Sequence, residues 1–251
     1  MQDNFITCRT CAAKEGPFPG YYYVDVAGHR YVTECTCHKK WAEKQSLLRK
    51  LRIANVWEDF DYDPAKDYRG EKSLEDVRAL QIYVKQFSSK FSDKMVYVYG
   101  GNGTQKTTLA MWTARELIKS GKTVLYTLME TLSVALAPDF NSEGNSREIF
   151  IQKALDADLL IVDEAFDKRT TTIYKSGYQL PFLSTFFKSR FEVGNKAIIF
   201  ISNIAPKDIA LNGFGETLGS FAARNTQSST LTFNDVYIKK ANVIDSKGLF
   251  K

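Results

Sequence analysis

The sequence predicts an α/β domain preceded by a small cysteine-rich module. Three observations carry that prediction. Apolar runs of strand length, at 95–99, 122–127, 158–163 and 197–202, alternate with helical stretches. The first run breaks into a glycine turn that opens directly into a helix, and the third ends in two carboxylates. All four cysteines lie within the first 37 residues, so they form one local device.

The 251 residues allow one large domain, or a core with a small module. Hydrophobic content of 44% and charged content of 25% are ordinary for a globular chain. No apolar run approaches the ~20 residues of a membrane span. The start, MQDNFITCRT, lacks the charged and apolar regions of a signal peptide, so a cytoplasmic protein with no membrane partner is expected. Net charge is +5 and the pI is near 8.8. That balance is compatible with nucleic acid without being evidence for it.

Three segments are expected: a module over 1–40, a basic linker helix and connector over 41–72, and an α/β domain over 73–251. The first holds Cys8-x-x-Cys11 and Cys35-x-Cys37, with His38 adjacent. Two close-spaced pairs separated by a loop suit tetrahedral Zn²⁺, each pair giving two sulfurs from one tight turn. The intervening GYYYVDVAGHRYVTE has strand composition with a turn at Ala27-Gly28, and reads as a hairpin. The module therefore resembles a small zinc ribbon. His38 is an alternative to Cys37 as fourth ligand, His29 is a weaker one, and free buried thiols are the bland alternative. Four protein ligands leave no open position, so the metal's role is structural.

Residues 39–56 read as a basic helix. Leu47, Leu48, Leu51 and Trp41 lie near one face, with Lys39, Lys40, Lys44, Arg49, Lys50 and Arg52 around them. The cations serve either a partner or phosphate backbone, or simply a solvated face. The turn-rich WEDFDYDPAKDYRGEK follows. Ser73 with Asp76 then makes a capping-box-like start to a helix packed by Leu80, Ile82, Tyr83 and Phe87.

MVYVYGGNGTQKTT, residues 95–108, is the segment around which the rest is arranged. A buried strand leads into Gly100, Gly101, Asn102, Gly103 and Thr104. Lys106, Thr107 and Thr108 then open a helix that ends at Gly121. Backbone N–H groups in such a loop, with the helix N-terminus, hold phosphates. In that reading Lys106 reaches the β- and γ-phosphates and the Thr107 hydroxyl meets Mg²⁺. Gln105 stands where the GxxxxGK[ST] pattern has its second glycine. Either it tolerates the local dihedrals and nucleotide still binds, or the site is weakened. A structural turn without nucleotide is the remaining alternative.

The strand Asp158–Asp163 ends in the pair Asp163-Glu164. Carboxylates at the end of a doubly buried strand need a partner. Asp163 suits Mg²⁺ held through its water shell, and Glu164 suits polarising the attacking water. The alternative is a helix N-cap at the strand end. QLPFLSTFFKSRF, 179–191, reads as a helix with an apolar face. Asn203 follows the next strand, either oriented at a γ-phosphate or as a turn asparagine. GFGETLGSFAARN holds a short helix ending near Arg224, before the strand-like STLTF.

Taken in order, GGNGTQKTTLA, LLIVDEAFD, IIFISNIAP and FGETLGSFAARN resemble the DnaC/DnaI-type helicase loaders. These are AAA+ ATPases related to the IstB transposition helper. The resemblance covers roughly 60–235, and the cysteine module matches the placement of the N-terminal zinc domain of DnaI-like loaders. It implies a P-loop AAA+ domain: a parallel sheet flanked by helices, with nucleotide between neighbouring subunits. Lys106 and Thr107 then take the Walker A roles, Asp163 and Glu164 Walker B, and Asn203 sensor 1. Arg224 becomes the arginine finger for the next subunit's ATP, and Arg190 matches a family arginine near the subunit boundary. The implied function is ATP-dependent loading of a replicative DNA helicase onto single-stranded DNA, with self-association. The alternatives are an IstB-like transposition helper and a nucleotide-binding adaptor without turnover. Residues after STLTF are too few for a full lid, as in loaders. Motif drift and compactness fit a phage or mobile-element version.

Overall fold

The computed structural model describes residues 7–68, 74–137, 146–173 and 177–233. The expected cap at Ser73 and the lid-less tail after 233 lie outside them. The chain divides into two compact units, Met1–Arg52 and Ile53–Lys251. Among the described residues no helix is long and apolar enough to cross a membrane.

In the first unit, α1 (Arg9–Ala12) precedes the antiparallel hairpin of β1 (Tyr21–Val26) and β2 (His29–Glu34). The expected turn is present: Ala27 and Gly28 both have positive φ, 48° and 81°, matching the twist of a two-residue hairpin. α2 (Thr36–Ile53) then begins immediately after Cys35, earlier than the sequence pattern placed it. Its six cations are exposed.

The second unit opens with α3 (Pro64–Asp67), capped by the Asp63 carboxylate accepting from the Ala65 N–H, and α4 (Leu74–Gln86). β3 (Met95–Gly100), α5 (Lys106–Lys119), β4 (Val124–Leu128), α6 (Met129–Leu136), α7 (Ser146–Asp156) and β5 (Leu159–Asp163) follow. α8 (Leu180–Lys188), β6 (Ala197–Ser202), α9 (Gly215–Thr226) and β7 (Thr230–Phe233) complete it. On α4 the buried stripe is Val77, Leu80 and Tyr83, continued by Phe87. Ile82, expected in that stripe, is 49% exposed, because it lies one residue, or ~100° of helix, from Tyr83.

The five strands form one parallel sheet in the order β4-β5-β6-β3-β7. β5 and β6 are buried along their whole length, which is why they read as continuous apolar runs. From β3 the chain passes to β4 at the far side, returns through β5 and β6, and then pairs with β3's other side as β7. That reversal leaves a crevice at the C-terminal ends of β3, β5 and β6. Beneath it Tyr97, Phe166, Phe187, Phe200 and Phe214 pack as an aromatic core.

Candidate nucleotide site and cysteine cluster

The loop between β3 and α5 takes its shape from three local constraints. Gly100 lies beside β7, and a Cβ there would sit 2.0 Å from the Phe233 carbonyl oxygen, so only glycine fits. Gly103 is left-handed at φ 74°. The Thr104 hydroxyl donates to the Gly101 carbonyl at 2.9 Å and closes the turn.

Gln105 is also left-handed, at φ 64°, ψ 15°. A side chain in that region costs roughly 1–2 kcal/mol relative to right-handed backbone, which is the reason a glycine suits the position. The cost is tolerated here, and the side chain has a partner: the Tyr62 hydroxyl donates to its Oε1 at 3.1 Å.

Lys106 is buried, and its ammonium donates to four oxygens. These are the Gly101 carbonyl at 2.7 Å, the Gly100 carbonyl at 3.0 Å, Asn203 Oδ1 at 3.1 Å and Thr104 Oγ1 at 3.2 Å. Burial lowers its pKa, and the Asp163 carboxylate opposes that shift. Asn203 is thus a partner of the loop lysine rather than a simple turn residue.

Asp163 caps no helix: residues 164–173, which follow it, are turns and bends. Its Oδ2 accepts from the Thr107 hydroxyl at 2.7 Å and the Tyr126 hydroxyl at 2.8 Å, and its Oδ1 from the Glu164 N–H at 2.7 Å. Glu164 follows at φ 52°. Burial, then the Asp163 and Asp167 charges, raise its pKa above the usual carboxylate value. Residues 102–108 with Asp163, Glu164, Ser202 and Asn203 enclose a cleft of about 290 Å³. A larger hollow of about 400 Å³, between β4 and α7, is apolar and holds none of these groups.

Two expected residues lie elsewhere. Arg224 pairs with Glu192 at 2.9 Å and does not line the cleft. Arg190, expected near a subunit boundary, is 1% exposed inside this subunit. Its guanidinium donates to the carbonyls of Ala154, Leu155, Ala157 and Ala197 at 2.6–2.8 Å, so it caps the C-terminal end of α7. Burial lowers its pKa to about 10, which keeps it charged at neutral pH.

Sequence reading missed Tyr126 and Asp167. Nothing in the apolar run of β4 distinguishes a tyrosine that reaches a neighbouring strand's carboxylate. Asp167 is fully buried and chelated by Arg169, whose hydrogen bonds hold its pKa below the usual range, with the Asn203 side chain nearby. The four-residue spacing from Asp163 was its one visible signal.

In the first unit the four sulfurs lie within 4.8 Å of one another. Cys8–Cys11, Cys8–Cys35 and Cys11–Cys37 are 3.7, 3.6 and 3.5 Å apart. A tetrahedron with Zn–S of about 2.3 Å requires S···S near 3.8 Å, so the cluster fits that ion. A main-chain hydrogen bond from Cys11 lowers the Cys8 thiol to about 6, toward the thiolate a metal needs. His38 Nδ1 instead contacts Glu34 Oε1 at 2.7 Å, and its ring packs against Tyr21 and Trp41. His29 is exposed on the hairpin.

The fold is similar to that of several solved replication proteins. DnaI matches with a TM-score of 0.52 at 15% identity, over 76% of this chain and 93% of that one. The DnaC helicase loader matches with 0.50 at 19%, over 66% and 94%. The replication initiator DnaA, bound to AMPPCP and single-stranded DNA, matches with 0.56 at 18%, over 75% and 55%. The chain spans about half the length of that initiator and of the DNA replication initiation factor it also matches. No curated protein matches the chain. The model of the IstB-like ATP binding proteins matches residues 23–170, from the hairpin through the carboxylate strand. That segment is well over half the chain and contains both the phosphate loop and Asp163, and the protein belongs to the IstB-like ATP binding protein family.

Proposed function

We propose that the protein is an ATP-dependent loader that delivers a replicative helicase ring onto single-stranded DNA, acting as a self-associating AAA+ ATPase. One observation carries the reading. Lys106, Thr107, Asp163 and Asn203 converge at the ends of three adjacent strands, in a fold that matches more than nine-tenths of DnaI and of a DnaC helicase loader.

The residues present suit a nucleoside triphosphate with Mg²⁺. The loop amides and the start of α5 receive phosphate oxygens, and Lys106 exchanges protein oxygens for them. Thr107 and Asp163, already hydrogen-bonded to each other, present an oxygen pair to the metal side. A Mg²⁺ ion held by Thr107 and Asp163 would supply positive charge against the charge that develops on the transferred group. Glu164, with its raised proton affinity, is the group in the cleft suited to accept a proton from water. Asn203 holds Lys106 from the β6 side. Arg224, exposed and away from this subunit's cleft, is the finger offered to a neighbouring subunit. Cys8, Cys11, Cys35 and Cys37 hold a structural zinc, and the module they staple grips the helicase.

The strained Gln105 favours a second reading, an adaptor that binds nucleotide without turnover. Both are tested together with the wild type and Lys106→Ala. The loader reading expects ATP hydrolysis that Lys106→Ala abolishes, and nucleotide-dependent capture of the cognate replicative helicase. Capture with equal, background hydrolysis in both proteins selects the adaptor. No capture of the helicase under any nucleotide condition overturns the loader.

A further inference from the structure

We infer that Tyr126 is a positioning residue for the Asp163 carboxylate and so sets the site's affinity for the divalent cation. The inference rests on the nucleotide reading above. The Tyr126 and Thr107 hydroxyls converge on the same carboxylate oxygen, at 2.8 and 2.7 Å. The two differ in what they do when a cation arrives. Thr107 lies in the first turn of α5, and its oxygen would face a bound cation, withdrawing its hydrogen bond from Asp163. Tyr126 comes from the opposite side, on β4, and has no other role in the cleft. It is the side-chain donor that remains to hold the carboxylate in plane, assisted by the Glu164 N–H on the other oxygen.

The tyrosine is itself rigidly placed. Among the described residues β4 is an edge strand of the sheet, and residues 54 and 55 bond to its outer side at Tyr126. The Tyr126 N–H donates to the Ala54 carbonyl at 2.9 Å, and the Asn55 amide donates to the Tyr126 carbonyl at 3.2 Å. Asn55 is left-handed at φ 57°, a conformation asparagine tolerates and which turns its side chain back on the strand. The ring is half-buried. A carboxylate held by a fixed donor presents its lone pairs in one direction, and losing such an outer partner costs on the order of tenfold or more in metal affinity.

The test is a fluorescence titration of the full chain with a fluorescent ATP analogue, in EDTA and across a Mg²⁺ series. The proteins are the wild type, Tyr126→Phe and Lys106→Ala, with melting temperature measured for each. The expected result is that Tyr126→Phe raises the Mg²⁺ concentration for half-maximal enhancement by about tenfold. Its EDTA affinity and melting temperature stay at wild-type values, while Lys106→Ala loses affinity in both conditions. An unchanged Mg²⁺ midpoint in Tyr126→Phe overturns the inference. So does a loss of affinity in EDTA, since the hydroxyl would then support the cleft as a whole. If the wild type fails to bind the analogue in any condition, the nucleotide reading falls, and this inference with it.

Discussion

Replacing Arg190 tests whether this arginine holds the fold or serves a subunit boundary. Arg190→Met keeps the length and apolar stem of the side chain and removes its five donors. Four carbonyls, three of them in buried contacts, then lose a charge-assisted partner. Two of them, Ala154 and Leu155, belong to the last turn of α7, whose C-terminal carbonyls have no partner within the helix. An unsatisfied buried polar group costs about 1–3 kcal/mol. Against that stands the relief of no longer burying a charge, a cost visible in the lowered Arg190 pKa and only partly offset by the charges of Asp158 and Asp156. The net is a loss of about 4 kcal/mol, in the range for breaking a buried charged network. For a domain of about 200 residues that lowers Tm by roughly 10 °C. Arg190→Lys, with one point charge for four acceptors, recovers only part of it. Urea unfolding followed by far-UV circular dichroism, with the slope of the transition unchanged, measures the loss. A cost below about 1 kcal/mol, with self-association impaired, would refute the capping role and return Arg190 to an interface.

Glu164→Gln is expected to raise stability at pH 7. The folded-state pKa of Glu164 is raised above the ordinary glutamate value of 4.5, so the folded chain holds that proton more tightly than the unfolded chain does. The associated cost is absent below pH 4.5, grows as pH rises through the shifted pKa, and is full above it. Melting curves of wild type and variant should therefore converge toward acid pH and separate at neutral pH; a constant gap would refute this origin. The wild type should carry one metal equivalent by elemental analysis; Cys37→Ser should lose it and His38→Ala should keep it. The opposite pattern would make His38 the ligand.

The glycine loop, the lysine and hydroxyl after it, and the strand ending in Asp163-Glu164 were legible because each is a local pattern. A doubly buried strand must be apolar throughout, so a carboxylate at its end stands out. The cysteine pairs were legible for the same reason, but their spacing left Cys37 and His38 equivalent. Adjacent residues at the start of a helix point about 100° apart, and only the folded module decides which faces the other sulfurs. At Gln105 the sequence showed a departure from the pattern, and the backbone dihedrals supplied its meaning.

What the linear chain determined was the set of local conformations, because turns, strand runs and helix starts answer to neighbours a few residues away. The order of the strands was decided elsewhere, and with it the placement of Asn203 against Lys106 and of Tyr126 against Asp163. Those contacts join residues 97 and 37 positions apart. Only sheet pairing brings them together, and no periodicity records it. Arg190 makes the same point from the other side. Its sequence neighbourhood carried only a resemblance to a family arginine near the subunit boundary, while the helix end whose carbonyls it binds lies more than 30 residues earlier in the chain.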